Sequence, residues 1–150
     1  LLSSPVFAQE EQKSLKIDFD DCCYLQDKMK RIPESINILC FEIMQNNQNC
    51  QINRKIINDE IMRILDNRKN RFEFVIASLS AAQERIITQI ARENKVALVQ
   101  SKEFTSKTDL TARSVKVNIE KLLDLGVVEF SDGCYQLNDP LLGYYLVEYR

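Results

Sequence analysis

The sequence contains no histidine and no tryptophan, and only three glycines and three prolines in 150 residues. Without histidine there is no imidazole general base, no Ser-His-Asp arrangement and no imidazole metal ligand. The three glycines, Gly126, Gly133 and Gly143, stand apart, and none is followed by lysine. A phosphate loop of the form G-x-x-x-x-G-K-[ST] needs consecutive backbone amides, a lysine and a hydroxyl, so this chain cannot build one. No apolar run approaches the roughly 18 residues of a membrane-spanning helix. The five cysteines are Cys22, Cys23, Cys40, Cys50 and Cys134. Their number is odd, two are adjacent and none forms C-x-x-C, which excludes a disulfide framework and a zinc spacing. They are expected to be reduced cytoplasmic thiols that serve mostly as small core residues.

Charge is nearly balanced, with 20 Lys and Arg against 22 Asp and Glu. The overall charge is therefore not the obvious signature of a polyanion binder. It is 45% hydrophobic and 28% charged, the composition of a water-soluble globular protein. Residues Leu1 to Gln9 are similar to the tail of a signal peptide, with Ala8 near a small-residue cleavage position. They lack a basic n-region and a long enough apolar core, so an ordinary segment is expected. The chain opens on Leu rather than Met, so it is expected to be a piece of something longer.

Scarce glycine and proline favour a mostly helical protein. Residues 1–17 show no clear period. From Asp18 onward Phe19, Cys22 or Cys23, Leu25 and Met29 recur at helical spacing. Asp18, Asp20 and Asp21 read as helix-start carboxylates favoured by the dipole. Pro33 suits the first turn of a second helix, striped by Ile36, Leu39, Cys40, Ile43 and Met44. The polar run Gln45 to Asn49 reads as a loop, and Asn53 as the N-cap of a long third helix. Its apolar face is Ile57, Ile61, Ile64, Leu65, Phe72, Val75 and Ile76, with a kink expected at Asp66 to Asn70.

A boundary is expected at Ser78-Leu79, dividing the chain into a helical bundle over 1–78 and a second domain over 79–150. Ser80-Ala81-Ala82-Gln83 is a capping box, and the helix it opens carries Ile86, Ile87, Ile90 and Ala91. A short helix near Ser101 to Lys107 turns Phe104 inward. Thr111 then caps a helix striped by Val115, Ile119, Leu122 and Leu123, which Gly126 ends. Val127 to Phe130 and Cys134 to Leu137 alternate as strands around Ser131-Asp132-Gly133, whose D-G pair is a hairpin signal. Three helices followed by a two-stranded hairpin is the order of a winged helix-turn-helix, and the agreement of spacing, caps and turn supports it. The fold class expected is mainly α, a lid-like helical bundle followed by a winged helix and an aromatic C-terminal helix.

Residues 110–128, Leu-Thr-Ala-Arg-Ser-Val-Lys-Val-Asn-Ile-Glu-Lys-Leu-Leu-Asp-Leu-Gly-Val-Val, resemble the recognition helix and first wing strand of many bacterial and archaeal winged-helix proteins. A narrower likeness joins Leu79 to Gln83, the winged helix, and Gly133 to Leu146 with its Asp139-Pro140 and aromatic run. This ensemble is similar to the C-terminal region of prokaryotic, archaeal-type P-loop ATPases of the AAA+/STAND type. In them the preceding segment is the helical lid, and Arg31-Ile32-Pro33 sits where that family has a G-x-P segment. The likeness covers about residues 18–147, with Arg31 in place of the glycine. It implies that ATP and Mg²⁺ belong to a nucleotide-binding core outside this sequence.

Candidate DNA-contacting residues are Arg113, Ser114, Lys116, Val117 and Lys121, on the outward side of the third helix of the winged unit. Such positions face the major groove in a DNA-binding winged helix. Arg113 could reach a guanine edge and Lys116 a phosphate. Against this, residues 79–150 carry nine Lys and Arg and ten Asp and Glu, and the wing tip holds Asp132. Tyr144, Tyr145 and Tyr149, with Leu141, Leu142 and Leu146, form an aromatic segment that either packs on the winged helix or docks a partner. No catalytic residue, resident cofactor or metal site is expected. The partners expected are weakly bound DNA, or a protein such as the ATPase core of the parent, with no membrane. The competing reading is a stand-alone winged-helix DNA-binding regulator, and a P-loop encoded upstream would decide between them.

Overall fold

The computed structural model describes residues 14–150. The signal-peptide-like stretch around Ala8 lies outside the described residues. Element order is β1 (Leu15–Ile17), α1 (Phe19–Lys28), α2 (Pro33–Asn46), β2 (Cys50–Ile52), α3 (Arg54–Ala77), α4 (Ala81–Glu93), α5 (Lys102–Thr108), α6 (Ala112–Asp124), β3 (Val128–Ser131), β4 (Cys134–Leu137) and α7 (Pro140–Tyr144), continued by a π-helical turn over Tyr145–Tyr149. No helix among the described residues is long and apolar enough to cross a membrane.

The caps legible in the sequence are made. The Asn53 side chain accepts from the Ile56 amide at 3.0 Å. Ser80 and Gln83 satisfy each other's amides at 3.2 and 3.0 Å. Ser101 accepts from Phe104 and Thr111 from Ser114. These bonds fix helix starts by occupying donors that a helix leaves unpaired. Pro33 occupies the first turn of α2, where its missing N–H costs nothing.

Four expectations change. A strand, β1, forms where no period was visible, and it pairs in parallel with β2 in the register Leu15 to Cys50 and Ile17 to Ile52. Three residues are too few to display an alternation. Phe19 is 81% exposed and Met44 56%, so neither joins its helix's inner stripe, which Leu25, Leu39 and Ile43 fill. The helix α3 runs unbroken through Asp66 to Asn70 for 24 residues, about 36 Å at 1.5 Å per residue. The five cysteines are free thiols, all half-buried rather than fully buried, and Cys40 and Cys50 lie against the core.

One hydrophobic core runs through the molecule, from Leu25 and Met29 of the first helices to Leu141, Leu142 and Tyr145 near the end. In the second half Ile86, Ile87 and Ile90 of α4 meet Phe104 of α5 and Val115, Ile119 and Leu122 of α6. The wing closes through Ser131 opposite Cys134, and Asp132 (φ 52°) and Gly133 (φ 74°) both take the left-handed conformation of a type I′ turn. Val96 adds a third position to this sheet: its amide donates to the Tyr135 carbonyl at 3.0 Å, and the Tyr135 amide donates back at 2.8 Å.

The α1–α2 connection holds two adjacent non-glycine residues in the left-handed region, Lys30 (φ 51°) and Arg31 (φ 56°). Backbone bonds from Arg31 to Gln26 at 2.8 Å and from Ile32 to Met29 at 3.0 Å hold them there. A left-handed L-residue costs about 1–2 kcal/mol, and the ion pair of Arg31 with Asp27 is too exposed to offset it. Arg31→Gly is therefore expected to raise the unfolding free energy by about 0.5–1 kcal/mol, after the extra chain entropy of glycine. A urea melt checks this, and a lowered midpoint would contradict it.

Candidate interaction surface

The outward side of α6 is built by the same periodicity that buries Val115, Ile119 and Leu122. Those residues point into the core, so Arg113, Lys116, Val117, Glu120, Lys121 and Asp124 are left exposed. Arg113, Lys116 and Lys121 form no salt bridge or side-chain hydrogen bond with any described residue. Val117, 44% exposed, adds a small apolar spot among them. Ser114 is half-buried, and its carbonyl and hydroxyl both accept from the Asn118 side chain, at 2.9 and 3.4 Å. Four of the five residues expected on this surface are thus placed together and free, while Ser114 is engaged within the helix.

The turn that presents α6 follows from local chemistry. Asp109 ends α5 in the left-handed conformation, which reverses the chain, and Thr111 restarts the helix two residues later. Beside it, Lys107 bonds Glu93 and Glu103 at 3.2 and 2.8 Å, and these bonds hold its pKa above the ordinary lysine value. Its charge is spent inside the domain. On the wing, Phe130 is 56% exposed and leans on the Tyr135 ring at 4.8 Å. Glu129 and Asp132 give the hairpin an acidic character. The basic residues of α6 therefore have no basic wing to extend them.

Lys30 of the α1–α2 loop lies near Lys95 and Glu129 of this unit. Burial, followed by the nearby charge of Lys95, lowers its pKa, against a smaller opposing pull from Glu129. The sequence carried no sign of this proximity, because a loop residue has no periodic neighbour to reveal it.

The three tyrosines expected to offer a docking surface lie elsewhere. Tyr145 is 3% exposed and stacks on Phe72 of α3 at 5.0 Å between centroids. Its hydroxyl donates to Glu73 at 2.6 Å, which raises its pKa to about 12. The Tyr144 hydroxyl donates to the Lys28 carbonyl at 2.8 Å, and burial lifts its pKa to about 12 as well. The Tyr149 hydroxyl donates to the Asp66 carboxylate. All three hydroxyls are consumed within the chain, and Tyr145 has almost no surface to offer a partner. The packing alternative describes this segment, but it packs on α3 as much as on the winged helix.

Among the described residues no group of three or more Cys, Asp or Glu side chains is placed to hold a metal ion. A cavity of about 300 Å³ lies between α2, α3 and the base of the wing, with Ser35, Arg68, Arg71 and Asp139 in its lining. Asp139 caps α7 by accepting from the Leu141 amide at 2.9 Å, and burial raises its pKa. The cavity's two arginines face two carboxylates, Glu34 and Asp139, so it has no single sign of charge.

A family model described as a probable winged helix domain matches residues 70–148. That span begins inside α3, at the turns that carry Phe72 and Glu73, and ends just before Tyr149. No curated protein and no solved structure matches the chain.

Proposed function

This chain belongs to the probable winged helix domain family, and from that premise we propose that it is a non-catalytic interaction region whose winged helix contacts another protein through the outward face of α6. The observation that carries this reading is the charge pattern of that face. Arg113, Lys116 and Lys121 are exposed and unpaired, but Glu120 and Asp124 share the helix surface and Asp132 occupies the wing tip. A protein surface can answer such a mixture with its own mixture of charges. A duplex, uniformly anionic, is repelled by half of it.

In the same reading the chain is the lid and winged-helix portion of a P-loop ATPase, and it couples the state of a nucleotide held elsewhere to the α6 face. Supporting this are the likeness over residues 18–147 and the left-handed conformation of Arg31, at the position where that family has glycine. ATP and Mg²⁺ then act in the parent, in the cytoplasm, and this chain binds neither productively.

A second reading, DNA binding, is favoured by one observation: the three cations of α6 are free to meet phosphates. Three contacts give a salt slope of only about −2.7, at −0.9 each. A fluorescence-anisotropy titration with a random duplex at two salt concentrations measures it. The expected dissociation constant lies at about 10⁻⁴–10⁻⁶ M near physiological salt. Lys116→Ala is expected to reduce the slope by about 0.9. A slope steeper than about −6 would require a phosphate footprint larger than α6 provides, and would favour DNA as the target.

A further inference from the structure

The cavity of about 300 Å³ between α2, α3 and the base of the wing gathers donors that have no acceptor. Its lining includes the first turn of α2, a helix of 14 residues whose N-cap, Ile32, carries no side-chain acceptor. The Ile36 amide is the first to find a carbonyl, that of Ile32. The amides of Glu34 and Ser35 therefore stay open, at the end of the helix where partial positive charge collects. The Ser35 side chain lines the same cavity. Ser35 is only 5% exposed, and its hydroxyl bonds no described residue. A buried hydroxyl without a partner is uncommon, because its lost hydration goes unreplaced. From α3, Arg68 and Arg71 line the cavity, and neither guanidinium makes a hydrogen bond or ion pair with any described residue.

We propose that this cavity binds a small oxyanionic ligand, a carboxylate or a phosphate monoester, held by the Ser35 amide and hydroxyl and clamped by Arg68 and Arg71. An oxyanion supplies the acceptors that all these donors lack, and a guanidinium meets it with two parallel N–H bonds. The two acids in the lining do not take this role. The Asp139 carboxylate is spent on the start of α7, accepting from the Leu141 amide at 2.9 Å. Burial raises its pKa, and Arg71 and Arg68 pull it back without touching it. Glu34 is exposed, forms no ion pair and opposes an incoming anion from the rim. The rest of the lining is largely apolar, which strengthens charge-assisted bonds by excluding water. The volume suits the acidic group of a small metabolite, at the lower end of small-molecule sites.

The test is a pair of NMR titrations of the ¹⁵N-labelled chain, one with inorganic phosphate and one with succinate, at ionic strength held constant with sodium chloride. The Ser35 amide and the Nε–H groups of Arg68 and Arg71 are expected to shift along one saturating curve, while chloride alone leaves them in place. Saturation by phosphate only assigns a phosphoryl ligand, and by succinate only a carboxylate. Arg71→Ala is expected to weaken binding by about tenfold or more, the equivalent of lost charge-assisted bonds. Ser35→Ala is expected to weaken it by about 2–10-fold, for one neutral bond. Glu34→Gln is expected to tighten it by about 2–5-fold, since an exposed opposing charge is removed. Native amide shifts at Ile86 and Leu122 verify that each variant is folded. Shifts that grow in proportion to concentration without saturating, or that chloride reproduces, would overturn the proposal. So would saturable binding that Arg71→Ala and Ser35→Ala leave unchanged, because the anion would then sit elsewhere.

Discussion

Replacing Tyr145 by alanine is expected to lower the unfolding free energy by about 3–5 kcal/mol, the range for deleting a buried aromatic ring. The ring is 3% exposed and lies between Phe72 and Tyr149, at 5.0 and 5.2 Å. Its removal leaves a void at the place where α3 meets the end of the winged helix, and strands Glu73 with only Arg150. Tyr145→Phe separates the two contributions. It keeps the ring and loses one bond to a carboxylate, for about 1.5–3 kcal/mol. Urea unfolding of the two variants measures both. A loss below about 1 kcal/mol for the alanine variant would mean that the segment is not held on α3 as described.

Leu122→Ala is expected to cost about 2–5 kcal/mol, by lost transfer energy and a residual cavity. Leu122 is fully buried on the inner side of α6, in the core that α4 and α5 complete with Ile86, Ile90 and Phe104. The same residue fixes the register of the candidate surface. If Leu122 is inside, Arg113, Lys116, Val117 and Lys121 are outside by helical geometry. A cost under about 0.5 kcal/mol in a denaturant melt would place Leu122 in solvent and turn the proposed face inward.

The winged helix was legible in the sequence because its signals are local and redundant. Ser80 with Gln83, Thr111, Gly126 and the Asp132-Gly133 pair each mark an end or a turn by chemistry that acts over three or four residues. Apolar spacing then fills the interval between them. The inner stripe of α6 and its outward cations follow from one periodicity, so the candidate face could be drawn before any contact was known. The third position of the wing sheet, Val96, was missed because a single bridging residue shows no alternation. The strands β1 and β2 are three residues each and were missed for the same reason.

The tyrosine segment shows where local reasoning stops. Leu142, Tyr145 and Tyr149 do share a helical face, and periodicity identifies it as apolar. What covers it is Phe72, Glu73 and Asp66, more than 70 residues earlier in the chain, and no spacing rule connects the two. An aromatic cluster therefore had two readings, packing or docking, until the position of α3 was known. Lys30 beside Lys95 and Glu129 is a similar case, since its neighbours come from another element entirely.

As proposed, the α6 face is an interaction surface for a protein and does not read a DNA sequence. The measurement that tests it most directly is competitive fluorescence anisotropy, comparing a random duplex with duplexes enriched by several rounds of selection against this protein. No enriched duplex is expected to bind more than about tenfold tighter than the random one, with all affinities in the roughly 10⁻⁴–10⁻⁶ M non-specific range. Arg113→Ala is predicted to weaken every duplex alike. A selected duplex bound at about 10⁻⁸ M or tighter, the range of specific recognition, with that preference abolished by Arg113→Ala, would contradict the account and make α6 a DNA-reading helix.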